Sequence, residues 1–230
     1  MNGMQLLFIL FLVVSIIHIV FIALRKETQR RFSKCMVVPL LLAVYISGGG
    51  SKFFMPIPAL ILGWIGDVLL IKIEKKTHFL LGLASFLLGH VCYIIAYIQI
   101  LRIMGIGAGS AATGGISLAA MVIFIPPTVV LAMVVFRLIK PTKEMFIPVI
   151  FYMVVLVSMN LVGFQVFLAA PLTAGLLILS GNFNFIVSDT ILAYYTFRKL
   201  KLSGAVLIMV YYILAQAEII MGILMLKPWA

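Results

Sequence analysis

Acidic side chains are nearly missing from this chain: six among 230 residues, against seventeen lysines and arginines. Charged residues of either sign make up only 10% of it, while 65% is hydrophobic. With a mean hydropathy of +1.29, that composition excludes an ordinary soluble globular domain. Cysteine is scarce too. Cys35 and Cys92 fall in apolar stretches without CxxC or Cys/His metal spacing, and so read as small buried apolar residues. No P-loop, Rossmann glycine pattern, HExxH or GxSxG is present. His18 and His78 lie far apart with no ligand spacing, so neither a metal nor a cofactor is expected. The aromatic and methionine content reads as core or lipid-facing packing rather than a cofactor box. There is no soluble domain and no low-complexity tail. Met1 to Gln5 lack the basic region of a cleaved signal, and the first basic cluster follows the first apolar run, which reads as a retained span.

What the chain does have is long apolar runs, too long for the ~10-residue alternating strands of a barrel. Hydropathy and helix breakers divide it into eight segments, at roughly 4–24, 35–50, 53–71, 78–100, 116–137, 145–163, 170–197 and 203–226. The second is short and contains Pro39, and the seventh is long and polar in places. Eight crossings alternate the loops between two sides. One side collects Arg25, Lys26, Arg30, Arg31, Lys34, Lys72, Lys75 and Lys76. It also collects Arg137, Lys140, Lys143, Arg198, Lys199 and Lys201, leaving Lys52, Arg102 and Lys227 for the other. Basic loops face the cytoplasm, so both termini are expected outside. The pI of 9.9 therefore reflects topology, and no nucleic-acid partner is expected. The expected fold is an all-α, multi-pass membrane bundle of eight transmembrane helices in a single domain, 1–230. In a bacterium its place would be the inner membrane.

Two of the six acids, Asp67 and Asp189, sit inside apolar runs. A carboxylate within a span costs about 2.5–3.5 kcal/mol on insertion scales, so it usually serves a purpose. Asp67 lies five residues before Lys72, roughly 7–8 Å from the cytoplasmic helix end, and Asp189 lies nine before Arg198, roughly 13–14 Å deep. One reading is structural: an ion pair, with Lys34 as a partner, or an interhelical hydrogen bond. The other is a pair of nearby carboxyls that share a proton and work as acid and base. A faint correspondence links the halves 1–115 and 116–230. Lys34 precedes Pro39 by five residues and Lys143 precedes Pro148 by five; Asp67 precedes His90 by 23 and Asp189 precedes Tyr212 by 23. Two parallel four-helix repeats would set the aspartates symmetrically about a shared cavity. Chance matches of this kind are common in apolar sequence, so the repeat and the coincidence both stand.

Other polar residues fall at helical spacing. His90 and Tyr93 share a face of the fourth span, as do Tyr212 and Gln216 on the last. Each pair reads either as interhelical glue or as part of a site. Lys34 is either an ordinary interfacial anchor or a contact for a lipid phosphate. Asn182 lies seven residues before Asp189, on the same face, and with Asn184 and Ser188 makes the seventh span unusually polar. Glu218, nine residues before Lys227, would snorkel outward. Gly63 and Gly66 would let a helix or lipid chain approach Asp67 closely.

These residues resemble the signature of the YhhN-like family, the lysoplasmalogenases. The blocks are Ser33-Lys34-Cys35-Met36-Val37-Val38-Pro39, Gly66-Asp67-Val68-Leu69-Leu70, and the most specific, Phe79 through Gly89-His90-Val91-Cys92-Tyr93. They continue with Gly181 through Ser188-Asp189-Thr190, and with Tyr212 and Ala215-Gln216. The chain departs from the pattern at Asn182 and Asn184, usually apolar, at Glu218, usually aliphatic, and at Ile213, often aromatic; these changes bear on the choice of substrate. The resemblance implies eight transmembrane helices and hydrolysis of the vinyl ether bond of lysoplasmalogens, giving a fatty aldehyde and a glycerophospho-base such as glycerophosphoethanolamine. It makes a lysophospholipid the substrate and membrane lipids the surroundings. That chemistry needs one acid to protonate carbon and one anion to stabilise the resulting oxocarbenium ion and activate water, as paired carboxylates do in glycosidases. Asp67 and Asp189 would take these roles, undivided at this point. His90, Tyr93, Ser188, Asn182, Tyr212 and Gln216 would orient them or the substrate, and Lys34 would hold the phosphate. A proton-coupled transporter of lipids or small molecules uses the same kinds of residue and is the rival expectation.

Overall fold

Asn2 and Gln5 open the first helix with a reciprocal cap, each side chain accepting the other's backbone N–H at 2.9 Å. This satisfies two donors that a first turn otherwise leaves over. The computed structural model that shows this describes residues 2–50, 53–73, 75–105, 129–130, 133–134, 136–198 and 202–226. Among them all regular structure is helical. The helices are α1 (Gly3–Ala23), α2 (Glu27–Ser47), α3 (Pro56–Leu69), α4 (Lys76–Ile103), α5 (described at 129–130, 133–134 and 136–139), α6 (Phe146–Ala169), α7 (Leu172–Arg198) and α8 (Leu202–Met225).

Helices α1 to α4 each pack on the next in sequence, α4 then packs on α6, and α6 on α7 and α7 on α8. Helix α8 returns to touch α1 and α2, closing a ring. The outside of the ring is aliphatic. On α1, Phe11, Ser15, His18 and Ile22 form the one buried stripe, while Leu6, Ile9, Leu10, Val13 and Ile16 are exposed. Such a surface is stable against lipid tails and not against water. Among the described residues, five helical stretches are long and apolar enough to cross a membrane: Gly3–Ala23, Lys76–Ile103, Lys143–Ala169, Leu172–Arg198 and Gly204–Met225. A hydrocarbon core about 30 Å thick requires about 20 such residues. The chain is thus a multi-pass membrane protein.

Three of the eight expected spans look different in the structure. Helix α6 runs on to Ala169, six residues past the expected end. Helix α2 starts at Glu27, eight residues before the expected boundary, because Arg30, Arg31 and Lys34 ride on its first turns. Helix α3 is only 14 residues, about 21 Å: Pro56 starts it, and the chain tightens into a 3₁₀ turn at Leu70–Lys72. The expected span 116–137 falls mostly outside the described residues, as do Lys52, Lys199, Lys201, Lys227 and most of the small-residue loop that begins at Gly105. Three of the basic loops converge at one end. Lys76 pairs with Glu144, and Arg198 Nε donates to the Leu138 carbonyl at 3.2 Å.

Helices α7 and α8 pack closely through glycine. A Cβ on Gly181 would stand 2.7 Å from Ile219 Cγ1 and 2.9 Å from the Ala215 carbonyl oxygen, and one on Gly222 would stand 2.9 Å from the Ala174 oxygen. Small residues at such contacts let helices in a membrane gain dispersion energy. Gly181→Val is therefore expected to cost about 1–3 kcal/mol and to lower the thermal denaturation midpoint in detergent. Gly3→Val, where nothing lies within 4 Å of the added Cβ, is the control. Equal midpoints would mean that α7 and α8 stand further apart than described.

Candidate functional site

Pro39 lies inside α2 and has no N–H to give the carbonyl four residues earlier, that of Cys35. The Trp64 indole on α3 fills the gap, donating Nε1–H to the Cys35 oxygen at 3.0 Å. One turn along the same face of α3, Asp67 Oδ1 lies 3.3 Å from Lys34 Nζ. Two adjacent residues of α2 are thus clasped by an i, i+3 pair of α3. The proline makes the docking point, and the ion pair sits beside it.

Asp67 is 3% exposed, and the Tyr212 hydroxyl of α8 lies beside its carboxyl. Gly63, one turn before Asp67, makes that approach possible: a Cβ there would come within 3.2 Å of Tyr212 Oη and 3.1 Å of Gln216 Nε2. Behind Tyr212 the chain of donors continues. Gln216 Nε2 donates to Tyr212 Oη at 3.4 Å, and Tyr93 Oη donates to Gln216 Oε1 at 2.6 Å. Every bond in the series runs the same way. Each oxygen accepts from the group behind it, which frees the Tyr212 proton for Asp67. Lys34, Asp67, Tyr93, Tyr212 and Gln216, scattered over nearly 200 positions, form one connected set.

Asp189 has a different setting. Tyr152 on α6 donates to its Oδ2 at 2.6 Å. The half-buried Asp189 opens onto a cavity lined by Leu70, Phe79, Leu83, Phe86, Leu156 and Ile186, among other residues. The cavity's atom-free volume is about 830 Å³, part of it open to the exterior, and among the described residues Asp189 is the one carboxyl that lines it. Among the described residues no hydrogen bond joins Asp189 to Asp67. Aromatic rings connect them instead. His90 meets Tyr152 edge-on at 5.5 Å and Phe185 at 4.9 Å, and Phe185 meets Tyr212 at 5.8 Å. Phe86 lines the cavity, packs edge-on to Tyr212 at 5.8 Å and lies so close over Gly66 that a Cβ there would stand 2.6 Å from its ring. Its ring thus stands where the cavity wall, Tyr212 and the Asp67 turn of α3 meet. His90 is 2% exposed, and neither of its ring nitrogens has a hydrogen-bond partner among the described residues.

The remaining expected site residues lie outside this set. Ser188 Oγ donates to the Ile208 carbonyl at 3.1 Å, tying α7 to α8. Asn182 faces α6 as Asp189 does, but its Oδ1 accepts from Tyr97 at 2.8 Å. Asn184 Nδ2 donates to Glu218 Oε2 at 2.8 Å, so two departures from the family pattern are partners of one another. The ammonium of Lys34, expected as an anchor, a phosphate contact or an ion-pair partner, is spent on Asp67. Tyr152 and Trp64 escaped the sequence reading; the available signal was a lone tyrosine in the apolar run 145–163 and an indole one turn before the aspartate. Among the described residues no group of three His, Cys, Asp or Glu could hold a metal ion. The arrangement offers one carboxylate fixed by a cation and a phenol, and one carboxyl facing an apolar hollow.

The YhhN family model matches residues 29–223, a stretch that includes every member of this site. The chain belongs to the YhhN family. No curated protein and no solved structure matches it.

The Lys34 and Asp67 side chains are only 12% and 4% exposed, so removing one partner strands a buried charge. Lys34→Met is expected to cost about 3–5 kcal/mol. Adding Asp67→Asn to it should restore most of the loss, measured as denaturation midpoints in detergent across the double-mutant cycle. Additive losses would mean that the two groups are not coupled.

Proposed function

We propose that this YhhN-family chain is a membrane hydrolase that cleaves the vinyl ether bond of lysoplasmalogen, releasing a fatty aldehyde and a glycerophospho-base. The observation that carries the reading is the contrast between its two carboxyls, one on the wall of an apolar cavity and the other ion-paired. The alkenyl chain lies in the cavity with its double bond at Asp189. Asp189 supplies the proton to the carbon one removed from the ether oxygen, and Tyr152 holds its carboxyl in place. The cation that results spreads over the ether oxygen and its neighbouring carbon. Asp67, ion-paired with Lys34, stabilises that charge and accepts, through the Tyr212 hydroxyl, the proton of the water that attacks. The hemiacetal hydroxyl then gives its proton to Asp189 as the bond to the glycerol oxygen breaks, and that oxygen takes the proton held at Asp67, leaving aldehyde and alcohol with both carboxyls restored. His90, with two unpartnered nitrogens between the carboxyls, orients the water. Gln216 and Tyr93 fix the direction of the donor series.

The reading takes eight crossings with both termini outside and, in a bacterial source, the inner membrane. The convergence of basic loops at one end supports that orientation. In that orientation the cavity would face the cytoplasmic side, since Phe79 and Phe197, near the basic ends of α4 and α7, line it.

Purified protein incubated with lysoplasmalogen should release fatty aldehyde. Asp67→Asn and Asp189→Asn should each lower the rate about 10²–10⁴-fold. Tyr152→Phe, which deletes one hydrogen bond to a charged group, should lower it about tenfold or more. Equal release by the wild type and both asparagine variants would sink the assignment of roles. No aldehyde from folded wild type would shift the function to a transporter built on the same acids.

A further inference from the structure

Two hollows flank α6. One is the Asp189 cavity. The other is a groove on the outer side of the ring, between α5 and α6, lined by Val129, Met133, Phe136, Ile150 and Val154, with Arg137 and Ser158 in its walls. Met153 and Val157 line both hollows. They stand one turn apart on α6, so a flexible thioether and a small branched side chain form the partition between the outer groove and the carboxyl.

The groove belongs to the lipid-facing surface. Val129, Met133 and Val154 are 44%, 54% and 59% exposed. From Ile150 to Ser158 it follows α6 for about 12 Å. Arg137 stands on the groove's α5 side, next to Leu138, whose carbonyl holds Arg198, and so lies at the basic end of the molecule. Its guanidinium is exposed and has no hydrogen bond or ion pair among the described residues. An apolar trough with a free guanidinium at its interfacial end matches an aliphatic chain joined to a phosphate. Since Lys34 is committed to Asp67, Arg137, which itself lines the groove, is a cation available to such a headgroup on this flank.

We propose that this groove is the access site for a single-chain phospholipid. The phosphate rests on Arg137, the chain lies along α5 and α6, and it passes between Met153 and Val157 into the Asp189 cavity. Entry by this route is independent of the hydrolase reading, which concerns only the chemistry at Asp189. One chain rather than two is implied by a partition made of two side chains on consecutive turns.

The test separates access from hydrolysis by using a lipid that cannot be cleaved. The protein in nanodiscs is irradiated with a 1-alkyl lysophospholipid carrying a mid-chain diazirine, and the adducts are mapped by peptide mass spectrometry. Adducts are expected on residues 150–158 and 129–137 and, through the passage, on 189–193. Met153→Trp, or Val157→Phe where the first variant folds poorly, should remove the adducts at 189–193 and leave those on the groove. Arg137→Gln should lower labelling by the phosphate-bearing probe about fivefold, with no change for the same alkyl probe lacking phosphate. Adducts concentrated on α1 or α8, equal labelling of Arg137→Gln, or cross-links between two copies through the groove would overturn the proposal. Labelling in this pattern without aldehyde release from true substrate upholds the access site and removes the hydrolase. Aldehyde release without labelling of the groove does the reverse.

Discussion

The Lys34–Asp67 ion pair is the interaction on which the rest of this structure depends. A lone carboxylate costs about 2.5–3.5 kcal/mol at the centre of a span, and a buried pair is tolerated only when geometry and further hydrogen bonds are good. The chain meets both conditions with local means. Pro39 exposes a carbonyl on α2, Trp64 docks α3 against it, and the docking brings ammonium and carboxylate together. Gly63 then clears a path for Tyr212 to reach the remaining carboxylate lone pairs. The helix most distant in sequence is thereby drawn onto the α2–α3 corner. Ring closure and charge compensation are in this sense the same event.

The second carboxyl owes its position to the first. Asp189 rides on α7, and α7 is packed on α8 by glycine contacts at Gly181 and Gly222 and by the Ser188 bond to the Ile208 carbonyl. Once Tyr212 has tied α8 to Asp67, α7 has little freedom left, and Asp189 comes to rest against Tyr152. The rings of His90, Phe185 and Phe86 fill the space between. They keep the carboxyls on separate partners, so that one can remain an anion while the other meets an apolar ligand. A direct carboxyl–carboxyl contact would have coupled their titrations.

Much of this site was legible in the sequence because polar residues stand out in apolar helices. Asp67, Asp189, His90, Tyr93, Tyr212 and Gln216 were visible as anomalies, and spacings of three and four placed His90 with Tyr93 and Tyr212 with Gln216 on shared faces. Tyr152 was not, since a tyrosine has an apolar body and suits many positions in a span. The Asn184–Glu218 bond could not be read either: their pairing depends on the register of α7 against α8, which residues 34 apart do not reveal. The extent of α3 was obscured for a similar reason. Apolar residues run on through 53–71, yet Pro56 sets where the helix begins and the 3₁₀ turn at Leu70–Lys72 where it ends.

The departures from the family pattern take on a different weight once they are located. Asn184 and Glu218 satisfy one another on the α7–α8 face, and neither lines the cavity at Asp189. A matched amide and carboxyl in place of two apolar side chains alters how those helices adhere and leaves the hollow for a substrate chain unchanged. Asn182 is different in kind. It accepts from Tyr97, whose ring stacks on Tyr93 at 6.4 Å, and Tyr93 begins the donor series that ends at Asp67. A polar group at 182 therefore bears on the far end of that series rather than on the cavity. What it can alter is how firmly Tyr93, and through it Gln216 and Tyr212, are held when the Asp67 carboxylate changes charge.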